Sequence, residues 1–286
     1  MPVPAAGTAL VEYLSNSATV GFYLSPVFWA FVGAVFLAER VLPARPTQPV
    51  LSQGLRVDVT YVVVTHASGA LIHLSWVALL RQVYDQWLGF LTWHASAAWP
   101  AALTVTLGIL LRDFVAWFHH WVRHRVPFFW RFHAVHHAQR ELNLFTDVRY
   151  HPLEYFVTTT INALPMFALG NSLAVVAGWS FAATCYTRLT HANVRLRLGP
   201  LRYLLVTPQS HRIHHSPDPA HRDTNYGVVF SLWDRLLGTQ HPCDDEYPET
   251  GIDDPSFPIE TSPIRALVGH FLYPFRRHGA PAAPQT

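Results

Sequence analysis

The sequence predicts an all-α fold: an integral membrane helical bundle with a cytoplasmic histidine-rich helical cap. Three observations lead there. Half of the 286 residues are hydrophobic and only 13% are charged, against roughly 25% in an ordinary soluble domain. Four stretches without Asp, Glu or Arg, over 13–38, 59–80, 86–111 and 155–187, each exceed the roughly 20 residues a spanning helix needs. Histidine is in excess, with 18 copies against two Cys and two Met, and its patterned copies fall outside those stretches.

Each element follows in order. The first stretch has no basic start and is preceded by Glu12, so it reads as a retained membrane helix rather than a cleavable signal. The second contains His66 and His73, which have no patterned partner and are expected to pack. The fourth is too long for one span. Pro165 and the Leu-Gly-Asn-Ser run at 169–172 break it into a helical hairpin. The loop between the first two stretches holds Arg40, Arg45 and Arg56, and the next holds only Arg81 and Asp85. Positive charge favours the cytoplasm, which places 112–154 and 188–286 on that side. The absence of Lys hints at a GC-rich bacterial genome, so a multi-pass protein of a bacterial inner membrane is expected. Three regions result: membrane helices over 1–111, a histidine-bearing domain over 112–240 that includes the hairpin 155–187, and a Pro-rich tail over 241–286.

Composition also excludes. A net charge of +2 offers no basic field for nucleic acid. Cys185 and Cys243 are too few for a disulfide framework or a thiolate zinc site. Any metal here is expected to be held by imidazole, alone or with carboxylates.

The histidines supply the spacing. His120 and His124, in "HHWVRH", stand four apart and project from one helical face. Asp113 lies seven before His120, on nearly the same stripe, and is expected to accept a ring N–H from a ligating histidine. His119 points away and reads as a neighbour. "HAVHH" presents His133, His136 and His137, and "HRIHH" repeats the pattern with His211, His214 and His215. Offsets of three and four keep each triplet on one face, and its adjacent pair is splayed. Two copies therefore read as two walls of one site, each wall serving both of two ions. These eight imidazoles, with His191 as a ninth and His151 as a possible tenth, exceed what one transition ion takes. Pro152 and Glu154 leave open a second reading of His151, as a helix start. Asn225, Tyr226 and Asp234, in a loop that closes onto a short amphipathic helix, are expected to hold the third wall. His221, His241, His270 and His278 show no spacing and are expected at the surface. The stretch "FLYPFRRHG" suits a membrane interface, and "APAAPQT" suits disorder.

The motifs "HWVRH", "WRFHAVHH", "HPLE", "HANV", "SHRIHH", "NYG" and "WDRLLGT", in that order over 112–239 with a hairpin between the second and third histidine boxes, resemble the fatty acid hydroxylase superfamily, also called the sterol desaturase family. The resemblance implies a membrane-bound, non-haem enzyme with two Fe ions, which uses O2 to hydroxylate or desaturate a lipid drawn from the bilayer. It implies His120, His124, His133, His136, His137, His211, His214 and His215 as ligands, with His191 beside them. It also implies a separate electron-donor protein, since no fused haem domain is visible. Trp121 stands where many members have Arg. Thr187 and Arg195 stand where some carry a further histidine, a ligand that His151 could replace. Two other classes compete. A histidine-rich metal transporter should carry its ionisable groups at the bilayer midplane. A zinc hydrolase needs only three ligands and a water.

Overall fold

Local sequence signals set the helix boundaries. The computed structural model describes residues 25–243, 245–259 and 262–276. Among them it has nine α-helices and no strand; the β-pairing is limited to the isolated bridges Pro43–Val194 and Leu205–Phe230. Helix α1, Pro26–Val41, starts at Ser25, whose Oγ accepts the Val27 N–H, with Pro26 as its first residue. Helix α2, Gln53–Val83, starts at Ser52, whose Oγ accepts the Leu55 N–H. Residues 13–24 of the first apolar stretch, and the side chains of His66 and His73, lie outside what is described.

The third apolar stretch departs from expectation. Residues 84–98 form a π-helical turn (Tyr84–Leu88) and two 3-10 turns (Gly89–Leu91 and His94–Ala98). The long helix, α3, begins only at Ala101 and runs to Arg125. Pro100 explains the shift: it holds Trp99 in an extended conformation and occupies the N-cap of α3. Helix α3 passes residue 112 without a break, so the first histidine pair rides on the same rod as the apolar segment. It is the one described helix long and apolar enough, by length and composition, to cross a membrane.

Val126 is extended and Pro127 opens α4, Pro127–His137, which carries the second histidine box. The hairpin expected over 155–187 has the form of two helices, α5 (Pro152–Ala168) and α6 (Leu173–His191). Pro165 lies inside α5 rather than at its end. The turn itself is 169–172, where Gly170 takes φ 76°, a left-handed value open to glycine. Helix α7, Pro208–His214, is fixed by a capping box between Thr207 and Ser210. Helix α8, Leu232–Leu237, ends at Gly238 with φ 73°. The tail is folded over much of its length and includes helix α9, Pro263–Leu272.

Three apolar clusters tie these helices together. Val57 and Tyr61 of α2 pack with Ala134 and Val135 of α4 and with Ala266 of α9. Phe28, Val32 and Val35 of α1 pack with Leu144 and Val194. Val77, Ala163, Met166, Phe167 and Val176 join α2 to the hairpin. Met166 and Phe167 are almost wholly buried, which stabilises by about 1.5–3 kcal/mol each. Buried acids hold the loop that follows α4. Both Asp58 oxygens are used: Oδ1 accepts from Arg149 Nε (2.7 Å), and Oδ2 accepts from Gln139, Asn143 and Thr146 (2.6–2.8 Å). Glu39 Oε1 accepts the N–H groups of Leu144 and Asn193.

Candidate metal centre

Helices α3, α4, α6 and α7 deliver nine histidines to two adjacent clusters. The first comprises His120, His124, His133, His137 and His214; the second comprises His136, His191, His211 and His215. Within each cluster the potential ligand atoms lie within 4.8 Å of one another. Each H-x-x-H-H box divides between the two. His133 and His137 enter the first cluster while His136 enters the second. The later box does the converse, with His214 in the first and His211 and His215 in the second. The splay of adjacent helical residues accomplishes this division. Rings of the two clusters touch: His137 stacks on His215 at 4.2 Å between centroids.

Proton placement shows what the clusters can hold. His120 Nδ1–H donates to the Tyr226 carbonyl oxygen (2.8 Å), His214 Nδ1–H to that of Thr224 (2.8 Å) and His191 Nδ1–H to that of Thr187 (2.7 Å). His133 Nδ1–H donates to Glu154 Oε1 (2.7 Å). A carbonyl only accepts, so the proton is on Nδ1 and Nε2 is bare. These bare nitrogens converge. His120 Nε2 lies 3.0 Å from His133 Nε2 and 3.0 Å from His214 Nε2. His191 Nε2 lies 2.8 Å from His211 Nε2 and 3.1 Å from His136 Nε2. In the first cluster, where His120, His133 and His214 are all bare, lone pairs at such distances repel unless a cation lies between them. With metal–nitrogen bonds of about 2.1 Å, neighbouring donors of an octahedral ion are about 3.0 Å apart. His124 Nε2 is buried with no hydrogen-bond partner, a further donor in need of a cation. The donor set therefore fits two metal ions, and imidazole suits Fe, Cu or Zn rather than Mg or Ca.

Electrostatics agree. Burial first, and then neighbouring imidazoles, push His133, His136, His137, His211 and His215 well below the usual histidine range. Burial lowers His191 and His214 to about 4. All are neutral at neutral pH, the form that binds metal.

The supports differ in part from those expected. Asp113 bonds no histidine. Its oxygens accept the N–H groups of Val229 and Phe230 and Nε1–H of Trp233 (3.0–3.3 Å). It fastens α3 to the segment before α8, because its stripe faces that segment rather than the imidazoles. Glu154 takes the place assigned to it, accepting from His133 and pairing with Arg123 at 3.2 Å. Its place three residues after His151 was the available signal, and it read equally as a helix start. His151 belongs to neither cluster. Its Nδ1 caps α5 by accepting the Leu153 N–H, its Nε2 reaches the Phe271 carbonyl oxygen, and its ring stacks on Phe271. Pro152 and the helix start account for its place, and both its ring nitrogens are engaged away from the clusters. His119 faces α5, with Nε2 3.1 Å from Asn162 Oδ1. His221 and His270 are buried, not at the surface: each meets a partner from a distant segment, Glu246 and Tyr61 respectively. His278 lies outside the described residues.

Asn225 and Asp234 stand where the loop needs them. Asp234 gathers four donors: Trp117 Nε1, Thr239 Oγ1 and the N–H groups of Tyr226 and Gly227 (2.6–2.9 Å). This fixes the Tyr226 carbonyl that orients His120. Asn225 (φ 58°) donates from Nδ2 to the Ser210 carbonyl of α7 (3.0 Å).

Comparison with known proteins gives the family. The fatty acid hydroxylase family model matches residues 105–239. The ornithine lipid hydroxylase OlsE of Rhizobium tropici is 31% identical over 223 residues, 77% of this chain and 67% of that protein. Alkylglycerol monooxygenase of Homo sapiens is 31% identical over 150 residues, 52% of this chain but only 32% of that protein. The very-long-chain aldehyde decarbonylase GL1-6 of Oryza sativa subsp. indica is 29% identical over 163 residues, 52% of this chain and 25% of that protein. No solved structure matches. The matched region contains all nine clustered histidines, and on these grounds the chain belongs to the fatty acid hydroxylase family.

Proposed function

We propose that the protein is a membrane-bound oxygenase that holds two irons and hydroxylates a lipid with O2 and externally supplied electrons. The observation that carries this reading is the convergence of nine imidazoles, nearly all buried, on two adjacent points. His120, His124, His133, His137 and His214 would hold one iron, and His136, His191, His211 and His215 the other. Iron held there would supply O2 activation strong enough to attack an unactivated C–H bond. The protein's share is positioning. Glu154, Tyr226, Thr224 and Thr187 keep the Nε2 atoms unprotonated and aimed inward. Burial keeps water from the centre. Relatives named as a hydroxylase and as monooxygenases favour hydroxylation over desaturation.

Membrane residence is supported by the outward faces of the helices. Val63, Trp87, Phe90 and Leu103 are exposed together with Phe128 and Phe129, and so many large apolar groups on the outside suit lipid contact. The Arg-rich first loop favours a multi-pass arrangement in a bacterial inner membrane with the histidine centre on the cytoplasmic side. A transporter fits less well, because the histidines close two buried clusters instead of lining a path. The test is oxygen incorporation: protein in mild detergent, given reductant, 18O2 and membrane lipid extract. One labelled oxygen in a lipid product, lost in His120→Ala and His211→Ala, is expected. Metal retention without any oxidised lipid, across sterol, acyl and ether lipids, would defeat the reading.

A further inference from the structure

Among the described residues five arginines are buried. Arg149 pairs with Asp58 at 2.7 Å, Arg188 with Asp147 at 3.4 Å and Arg123 with Glu154 at 3.2 Å. Arg212 Nε donates to the Pro248 carbonyl oxygen at 2.9 Å. Arg112, in the middle of α3, has no hydrogen bond and no ion pair, and its Nε is buried and unbonded. It is only 9% exposed. The adjacent Asp113 accepts no hydrogen bond from it. Asp113 is committed to Val229, Phe230 and Trp233 and forms no ion pair with Arg112. Asp113 attracts the guanidinium only through space; buried N–H donors left without an acceptor are costly, and a fork of such donors matches a carboxylate or phosphate.

The depth of Arg112 suggests where such an anion comes from. The segments on either side of the Asp113 contact present Leu201, Tyr203, Leu204, Leu236 and Leu237 outward. Arg202 and Arg235 lie over the Tyr203 ring beside them. Aromatic, leucine and arginine side chains together mark a membrane–water boundary. Arg112 thus lies at the level of lipid head groups. Along the helix axis it is eight residues from His120, about 12 Å.

We propose that Arg112 anchors the anionic head of a lipid, a carboxylate or a phosphate, beside the metal-bearing part of α3. The proposal rests on the lipid-oxygenase reading and adds a specificity-determining residue to it. An anion held there fixes the distance between the lipid's head and the carbon presented to the histidine centre, so the site of oxidation is remote from the charged group.

The test uses full-length, metal-loaded protein in a neutral detergent. Dodecanoate, dodecyl phosphate and dodecanol are titrated, and binding is read from the rise in melting temperature. Inorganic phosphate and acetate are titrated in parallel. Both anionic amphiphiles should stabilise the wild type and dodecanol should not. Arg112→Gln should bind the anions roughly tenfold more weakly or worse, and Arg202→Gln should bind as wild type. A preference for dodecanoate identifies a fatty acyl carboxylate as the ligand, and a preference for dodecyl phosphate identifies a phospholipid head. Equal stabilisation by dodecanol, or unaltered anion binding by Arg112→Gln, overturns the proposal. So does an effect produced in full by the free anions, which need no lipid. If Arg112→Gln does not fold, Arg112→Lys keeps the charge without the fork, and unaltered anion affinity in that variant overturns the proposal equally. Lipid oxidation is measured on the same samples. Anion binding without oxidation leaves the anchor standing and removes the oxygenase reading. Oxidation without anion-dependent binding removes only the anchor.

Discussion

His137 and His215 stack nearly parallel, 4.2 Å apart and at 16°, yet belong to different histidine clusters. The two boxes meet at this pair. His137 comes from α4 and His215 caps the end of α7, so each box closes one cluster and reaches into the other. A centre built this way does not divide into an α4 half and an α7 half, and damage to either box should reach both ions.

Glu154 gives the first prediction. It is the only carboxylate bonded to a clustered histidine among the described residues. Glu154→Gln keeps the shape and removes the charge. Metal affinity of the first cluster should fall by roughly 10–100-fold, with the second cluster less affected. Competition with a chelator, followed by metal analysis, measures this. Unchanged retention would mean that Glu154 serves only Arg123.

His151 and His191 should separate cleanly. His151→Ala removes an α5 cap and should cost about 1 kcal/mol of stability, with metal content unchanged. His191→Ala should empty or weaken the second cluster. Metal per chain and melting temperature on the two variants decide the matter. Metal loss in His151→Ala would restore it to the ligand set.

Gly227 has no room for a side chain. An added Cβ would lie 2.8 Å from the Phe230 carbonyl oxygen and 2.9 Å from Asp234 Oδ2. Gly227→Ala should cost roughly 1–3 kcal/mol. It should also loosen metal binding by shifting the Tyr226 carbonyl that orients His120. Thermal unfolding and metal retention should fall together, and a neutral result would show that the loop gives way without disturbing His120.

His270 sets a pH dependence. Burial is the main cause that lowers it to about 3, and nearby Arg149 adds to the effect. Its Nδ1 meets the Tyr61 hydroxyl at 3.0 Å. The unfolded chain takes up a proton below about pH 6.5, which the folded protein refuses until about pH 3. Stability is therefore whole above pH 6.5 and is lost as the pH falls toward 3, by about 1.4 kcal/mol per unit. Between pH 7.5 and 5.5 the wild type should lose about 1.4 kcal/mol more than His270→Gln. Equal losses would show that His270 accepts the proton while folded.

Much of the centre was legible in sequence because helical spacing is short-range. Offsets of three and four put His120 with His124 and each H-x-x-H-H box on one face, and the structure gathers all eight of these imidazoles together with His191. The partition into five and four was not legible, since it depends on how α4 and α7 face each other. The place of Asp113 was hidden for the same reason: its partners are Val229, Phe230 and Trp233, more than a hundred residues away. His151 showed two signals, a ring that binds metal and a proline that starts a helix, and the local one prevailed. Missing charge alone marks the 86–111 stretch. Pro100, a backbone signal, moved the helix start to Ala101. Glu39 and Asp58 carried no sequence sign of their task, because the loop they hold lies far along the chain.

Two interlocked boxes would hold one dinuclear centre. Metal content per chain tests it most directly, by elemental analysis of protein purified in mild detergent, beside His136→Ala and His214→Ala. About two irons are expected in the wild type, with a loss exceeding one ion in at least one single variant, since each box serves both clusters. One metal per wild-type chain, or two lost singly and independently, would contradict it.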